Sequence, residues 1–218
     1  MIEGLVFDFD GLIIDTETPE YDAWKEIFHQ YNLTLPFEEW SKCLGSDFSR
    51  FNPLKYLSEK TGVNLDTCKL LEKQRARSKE LTLNNLPLPG VTDLIHEAKK
   101  AGLLLAVASS SDADWVIGHL QRVKLKDYFN IICTAEDVEH VKPAPDLFRL
   151  AVNRLGITPD KAVAFEDTQL GIQSAKKAGL YCVAIPNEVT SRLDFSQADW
   201  VVKSMTEVHV QNLQQRFA

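Results

Sequence analysis

Apolar residues along the chain fall into two alternating kinds of run, short continuous stretches and longer ones in which they recur at helical spacing. The first continuous run, Leu5-Val6-Phe7, passes into Asp8-Phe9-Asp10 and then Gly11. A buried strand emptying into a tight loop has this form. Further runs predict strands over 103–108, 131–134, 162–165, 181–185 and 200–202. The periodicity between them predicts helices over 91–101 (closed by Gly102), 112–123, 147–155 (closed by Gly156) and 169–178. Strand, helix, strand repeated in this way implies a parallel sheet with right-handed crossovers.

The alternation is interrupted once. Thr18-Pro19-Glu20 has the form of a helix start, with a capping hydroxyl, a proline and an acid in the first turn. Tyr21, Trp24, Ile27, Phe28 and Tyr31 follow at helical spacing. A short helix is predicted over 36–44 before Gly45, a third is opened by Asn52-Pro53 and stopped at Gly62, and a fourth is capped by Asp66 and runs toward Leu81. Nothing from 18 to 83 reads as a strand, and 84–90, with two prolines, a glycine and paired asparagines, is a connection. The expected fold is therefore α/β. A Rossmann-like, doubly wound parallel sheet core is formed by 1–16 and 85–218, and a small α-helical bundle over 17–84 is inserted after the first strand as a cap.

Composition narrows the function classes. A chain of 218 residues with 44% hydrophobic and 25% charged content is an ordinary globular protein. A net charge of −7 without any basic run argues against nucleic acid, because a phosphate backbone is held by clustered Lys and Arg. Cys43, Cys68, Cys133 and Cys182 are widely spaced with no CxxC pair, so buried reduced thiols are expected rather than a disulfide framework or a zinc site. Met1-Ile2-Glu3 lacks the basic start of a signal peptide, and no apolar run approaches the ~20 residues that cross a bilayer. The expectation is a monomeric cytoplasmic protein without membrane partners.

Parallel strands all finish on one edge, and the residues just past each apolar run are unusually polar. The first strand delivers Asp8 and Asp10, the second Ser109-Ser110-Ser111, and 162–165 delivers Glu166-Asp167-Thr168. The strand at 131 is followed by Lys142-Pro143-Ala144-Pro145. Singly, each is an ordinary surface or turn feature. Together, four carboxylates, an ammonium and a row of hydroxyls form a site for a divalent cation and an anionic, oxygen-rich group. Hard Mg²⁺ suits such donors, and it commonly keeps substrate phosphate in its shell.

These residues resemble the haloacid dehalogenase superfamily of phosphotransferases, in its branch containing β-phosphoglucomutase and phosphoglycolate-type phosphatases. Counterparts of all four family motifs are present: DFDGLIIDT at Asp8, AVASSS at Ser109, VKPAPD at Lys142 and FEDT at Glu166 and Asp167. A helical cap directly after the first motif also belongs to this branch, so the resemblance covers essentially the whole chain. It implies that Asp8 is the nucleophile that forms an aspartyl-phosphate, and that Asp10 protonates the leaving alcohol and then deprotonates water. It further implies Mg²⁺ on the Asp8 carboxylate, the Asp10 carbonyl and Asp167, with Glu166 nearby or acting through water. Lys142, Ser109 and the Ser110 amide would bind the transferring phosphoryl oxygens. A carboxylate near a phosphate dianion at ~4 Å meets about 4 kcal/mol of repulsion per charge pair at an effective dielectric of ~20, which such a cation offsets.

The resemblance implies a phosphatase acting on a small phosphorylated metabolite, of the sugar phosphate, phosphoglycolate or nucleoside monophosphate type. A sugar phosphomutase is the alternative. The mutase pattern, however, has a histidine where this chain has Glu20, and its cap-loop arginine has only an approximate counterpart in Arg50. A binding protein that has lost catalysis would lack one of Asp8, Asp10, Lys142 or Asp167, and all four are present. Arg50, Lys73, Arg75 and Arg77 read mainly as solvated surface, the five histidines show no ligand spacing, and Trp24 and Phe28 read as cap core.

Overall fold

The structure, a computed structural model, describes residues 1–44 and 51–217. Six parallel strands form one sheet: β1 (Gly4–Phe7), β2 (Leu104–Ala108), β3 (Ile131–Cys133), β4 (Ala162–Glu166), β5 (Tyr181–Ala184) and β6 (Trp200–Val201). Their order is β3-β2-β1-β4-β5-β6, so β1 lies between β2 and β4 at the point where strand order reverses. Each strand sits where the apolar run predicts it. Helices α5 (Val91–Lys100), α6 (Ala113–Arg122), α7 (Asp146–Leu155) and α8 (Gln169–Ala178) provide the crossovers.

The two-residue period of the strands sorts the core onto two faces. Leu5, Phe7, Leu105, Val107, Val163 and Phe165 pack on one face with α5 and α6, and Phe7 stacks on Phe165 with centroids 4.8 Å apart. Val6, Ala106, Ala108, Ala164 and Cys182 point the other way, into α7 and α8. A parallel sheet covered on both sides needs this apolar content on both faces. The helix α9 (Val210–Phe217), which the sequence reading did not include, adds Val210, Leu213 and Phe217 to the first face.

Between β1 and β2 the chain forms α1 (Glu17–Gln30), α2 (Phe37–Trp40), α3 (Pro53–Thr61) and α4 (Thr67–Thr82). Their buried residues, among them Trp24, Ile27, Phe28, Trp40 and Leu57, make a third cluster that also takes in Val189 from the loop after β5. Asn52 and Asp66 cap α3 and α4 as expected, accepting from Lys55 N and Lys69 N. The start of α1 differs from expectation. Thr18 lies inside its first turn, and the Thr18 amide donates to Asp15 Oδ1 at 3.0 Å. The outgoing and returning connections run together, with Leu88 N donating to Ile13 O at 2.9 Å and Asn85 Nδ2 to Asp15 O at 2.7 Å.

Cys133 and Cys182 are buried thiols, whereas Cys68 is exposed on α4. No helix among the described residues is long and apolar enough to cross a membrane.

Candidate active site

The sheet hands its polar residues to one edge, and the ladder continues under them. Asp8 N donates to Phe165 O, and Ser109 N to Cys133 O, both at 3.0 Å, so these residues are still gripped by strands as the chain turns away. Gly11, at φ 71°, makes the turn after Asp10. A side chain there would place its Cβ 2.4 Å from Asp167 Oδ2.

Lys142 lies beneath the edge, its side chain 2% exposed, with Nζ 2.5 Å from Asp8 Oδ1 and 2.6 Å from Glu166 Oε1. The other Glu166 oxygen accepts from Asp167 N, Thr168 N and Thr168 Oγ1 at 3.1 to 3.3 Å. Glu166 is therefore engaged on both oxygens, and its part is to hold Lys142 under Asp8. Asp10 is fixed separately. Its Oδ2 accepts from Ser111 Oγ at 2.7 Å and Ser109 Oγ at 3.2 Å, and its Oδ1 from Trp115 Nε1 at 2.9 Å. The two aspartates thus sit on different partners around one cavity.

That cavity encloses about 670 Å³ between the sheet edge and the inserted helices. Asp8, Asp10, Ser110 and Lys142 line its floor, while Glu17, Glu20, Gln74 and Arg75 line it from α1 and α4. Ser109 is fully buried and spent on Asp10 and on Ser111 N, so Ser110 presents the strand end to the cavity, its Oγ without a hydrogen-bond partner among the described residues.

The site is short of positive charge. Burial, the neighbouring Glu166 and Asp10 push the Asp8 carboxyl up to about 8 against the pull of Lys142. Burial, with Asp8, Glu166 and Glu17 close by, drives Asp167 well above the carboxylate range. Burial lowers Lys142, but Asp8 and Glu166 outweigh that and keep it firmly charged. Burial and the acids around Glu17 raise it strongly, and burial with Asp10 raises Glu20 to about 7 despite Arg75. Carboxylates pushed together in this way are stabilised by a divalent cation.

The residues fit one. Carboxylate oxygens of Asp8, Glu166 and Asp167 come within 4.8 Å of one another, and Asp167 Oδ1 is buried with no hydrogen-bond partner among the described residues. An all-oxygen donor set suits a hard ion such as Mg²⁺.

The sequence profile of the haloacid dehalogenase-like hydrolases matches residues 5–185. The chain belongs to that family. YhcW of Bacillus subtilis (strain 168) is 43% identical over 210 residues, covering 96% of this chain and 95% of its own. The fructose-1-phosphate phosphatase YqaB of Escherichia coli (strain K12) is 32% identical over 185 residues, covering 84% and 95%. Among solved structures, CbbY from Rhodobacter sphaeroides, determined in complexes with phosphate and with xylulose-(1,5)-bisphosphate, aligns with a TM-score of 0.74 at 28% identity, over 95% of this chain and 96% of that one.

Within this haloacid dehalogenase-like hydrolase, the strand-end residues read from the sequence meet at one place. Of the cations on the described inserted helices, Arg75 and Lys79 line the main cavity. Lys73 donates to Gln30, and Arg77 is paired with Glu26 and Glu80 on the side away from it. Gly45 and Arg50 lie outside the described residues. Among the histidines, His119 is buried against Trp115 and Phe9, and burial lowers its pKa, which suits a structural ring. Trp24 and Phe28 are core of the inserted helices. Trp115, Glu17, Gln74 and Asn187 are not among the residues expected from the sequence. Of these, Asn187 lies in the loop just past β5, where the strand-end rule could have reached it, and Trp115 sits in the first turn of the helix that Asp112 caps.

Proposed function

We propose that this hydrolase is a Mg²⁺-dependent phosphatase of a phosphorylated sugar, with residues 17–84 acting as a cap on the core formed by 1–16 and 85–218. The reaction class is phosphoric monoester hydrolysis. The observation that carries the reading is Asp8, held on one oxygen by a buried lysine and facing the cavity that Asp10 also lines on its own three donors.

The substrate ester enters the cavity with its phosphorus against Asp8. The free Asp8 oxygen forms a bond to phosphorus while the bond from phosphorus to the sugar oxygen breaks, and Asp10 in its acid form gives the departing alkoxide its proton. An alkoxide is a poor leaving group without one. Water then attacks the aspartyl-phosphate, Asp10 takes the water's proton, and the bond from phosphorus to Asp8 breaks. Lys142 offsets negative charge on Asp8 and on the transferring oxygens, and the Ser110 hydroxyl and amide supply donors. Asp8, the Asp10 carbonyl and Asp167 would hold Mg²⁺, with Glu166 behind them, and the ion when bound supplies neutralisation of the phosphoryl charge.

The sugar part of the reading rests on Glu17 and Gln74. Both line the cavity, 8% and 4% exposed, without hydrogen-bond partners among the described residues. Polar groups that face a cavity without protein partners are placed to hydrogen-bond substrate hydroxyls. Relatives named for their substrates, fructose-1-phosphate for YqaB and phosphorylated carbohydrates for a Thermotoga maritima phosphatase, agree with this chemistry.

A panel of sugar, glycolate and nucleoside phosphates, assayed for phosphate release with Mg²⁺, tests the proposal. Release from sugar phosphates, lost in Asp8→Asn, is the expected result. Interconversion of a hexose 1-phosphate and 6-phosphate without release would make the protein a mutase. Inactivity in both assays would leave a binding protein.

A further inference from the structure

Asn187 follows β5, and every polar atom of its side chain is committed. Its Nδ2 donates to Asp167 Oδ2 at 2.8 Å and to Gly11 O at 3.0 Å. Its Oδ1 accepts from Val189 N and Thr190 N, each at 2.9 Å, and its own amide donates to Thr190 Oγ1 at 3.0 Å. The amide cannot be turned over, because its oxygen would then face a carboxylate and a carbonyl while its nitrogen faced two N–H groups. The seat is firm, since Thr190 is fully buried and Val189 is 6% exposed in the cluster formed by the inserted helices.

Asp167 thereby has two unlike oxygens. Oδ2 is occupied by Asn187, whereas Oδ1 is buried with no partner among the described residues. Gly11 comes immediately after Asp10 and reaches this arrangement only because it lacks a side chain, which would put a Cβ 2.8 Å from Asn187 Nδ2. One amide nitrogen therefore ties the loop after β1 to the loop after β4 at the point where both supply groups to the proposed cation.

We propose that Asn187 is the positioning residue of the metal centre: it pins Asp167 Oδ2 and the Gly11 carbonyl so that Asp167 Oδ1 and the neighbouring Asp10 carbonyl face the ion together. This rests on the cation site of the proposed function. Groups that orient a ligating carboxylate contribute to affinity through the geometry they fix.

The test is Mn²⁺ binding to the purified full-length protein, read by the electron paramagnetic resonance signal of free Mn²⁺ and so independent of turnover. Asn187→Ala is expected to weaken Mn²⁺ binding about 10- to 100-fold. Thr190→Ala, which loosens the same loop but keeps the amide, is expected to bind within about threefold of wild type, and Asp167→Asn is expected to lose binding. If Asn187→Ala does not fold, Asn187→Gln, which carries the amide one methylene farther out, gives the same readout with the same expected direction. Wild-type affinity in the Asn187 variants, or equal losses in Asn187→Ala and Thr190→Ala, overturns the assignment while leaving the phosphatase reading intact. Failure of wild type to take up Mn²⁺ overturns the assignment together with the cation site on which it depends.

Discussion

Gly171, in the first turn of α8, touches no part of the cavity, yet the geometry makes it a control point for Lys142. A Cβ built on it falls 1.9 Å from the carboxyl carbon of Glu166 and 1.9 and 2.1 Å from its oxygens. Ordinary carbon contacts begin near 3.5 Å, so the carboxyl must retreat by about 1.6 Å in Gly171→Ala. It has no slack to do so, because Glu166 is fully buried and holds Lys142 at 2.6 Å on one oxygen and three donors on the other. Breaking a buried ion pair in this way costs about 3–5 kcal/mol. At roughly 2–4 °C per kcal/mol for a chain of this size, Tm falls by about 6–20 °C. Lys142 then loses its second anchor, and displacing a group beside Asp8 by more than ~1 Å costs on the order of 10² in kcat. Thermal melts and phosphate-release kinetics read both effects. Gly118→Ala is the control, because that helical glycine has open space where the methyl would go and the substitution should stabilise by up to ~1 kcal/mol. A Gly171→Ala protein with Tm within about 2 °C of wild type and unchanged kcat would refute the claim that Glu166 fixes Lys142.

Three further outcomes follow from the same arrangement. The Asp8 pKa is raised from 3.8 to about 8, so in metal-free protein its contribution to stability is present at low pH and lost as pH rises through about 8. Mg²⁺ binds the deprotonated form, so the rise in Tm on adding Mg²⁺ should be larger near about pH 8 than near about pH 6, and equal increments at both would contradict it. Gln74→Leu should lower kcat/KM for a sugar phosphate about 5- to 150-fold, the ~1–3 kcal/mol of one unpaired group, while activity on an aryl phosphate and Tm do not fall. Lys142→Met should abolish turnover and lower Tm, because it leaves Asp8 and Glu166 buried without their cation; retention of either property would count against the ion pair's place in the site.

The sheet was legible because its strands are buried on both faces and so appear as continuous apolar runs, each ended by a polar residue. Helix ends were legible where capping chemistry is local, as at Asn52 and Asp66. Two features were not. Helix α9 has only two turns and three apolar residues, Val210, Leu213 and Phe217, a pattern too short to stand out from a loop. The start of α1 misled because Thr18 looks like a cap, whereas Asp15 accepts the Thr18 amide one turn earlier in the chain.

The site divides along the same line. Whatever a strand end delivers could be listed in advance, since parallel strands place Asp8, Ser109, Lys142 and Glu166-Asp167 on one edge whatever the details of packing. Which of these groups bond to one another could not. Neither the capture of Asp10 by Trp115 nor the pinning of Asp167 by Asn187 follows from any spacing, because each joins residues from separate crossovers. The division of labour comes from those cross-links: Asp8 is left with one oxygen on Lys142 and one toward the cavity, and Asp167 with one oxygen on Asn187 and one without a partner. Strand ends thus account for which chemistry is present, and the long-range hydrogen bonds account for which oxygen of each carboxylate is available to perform it.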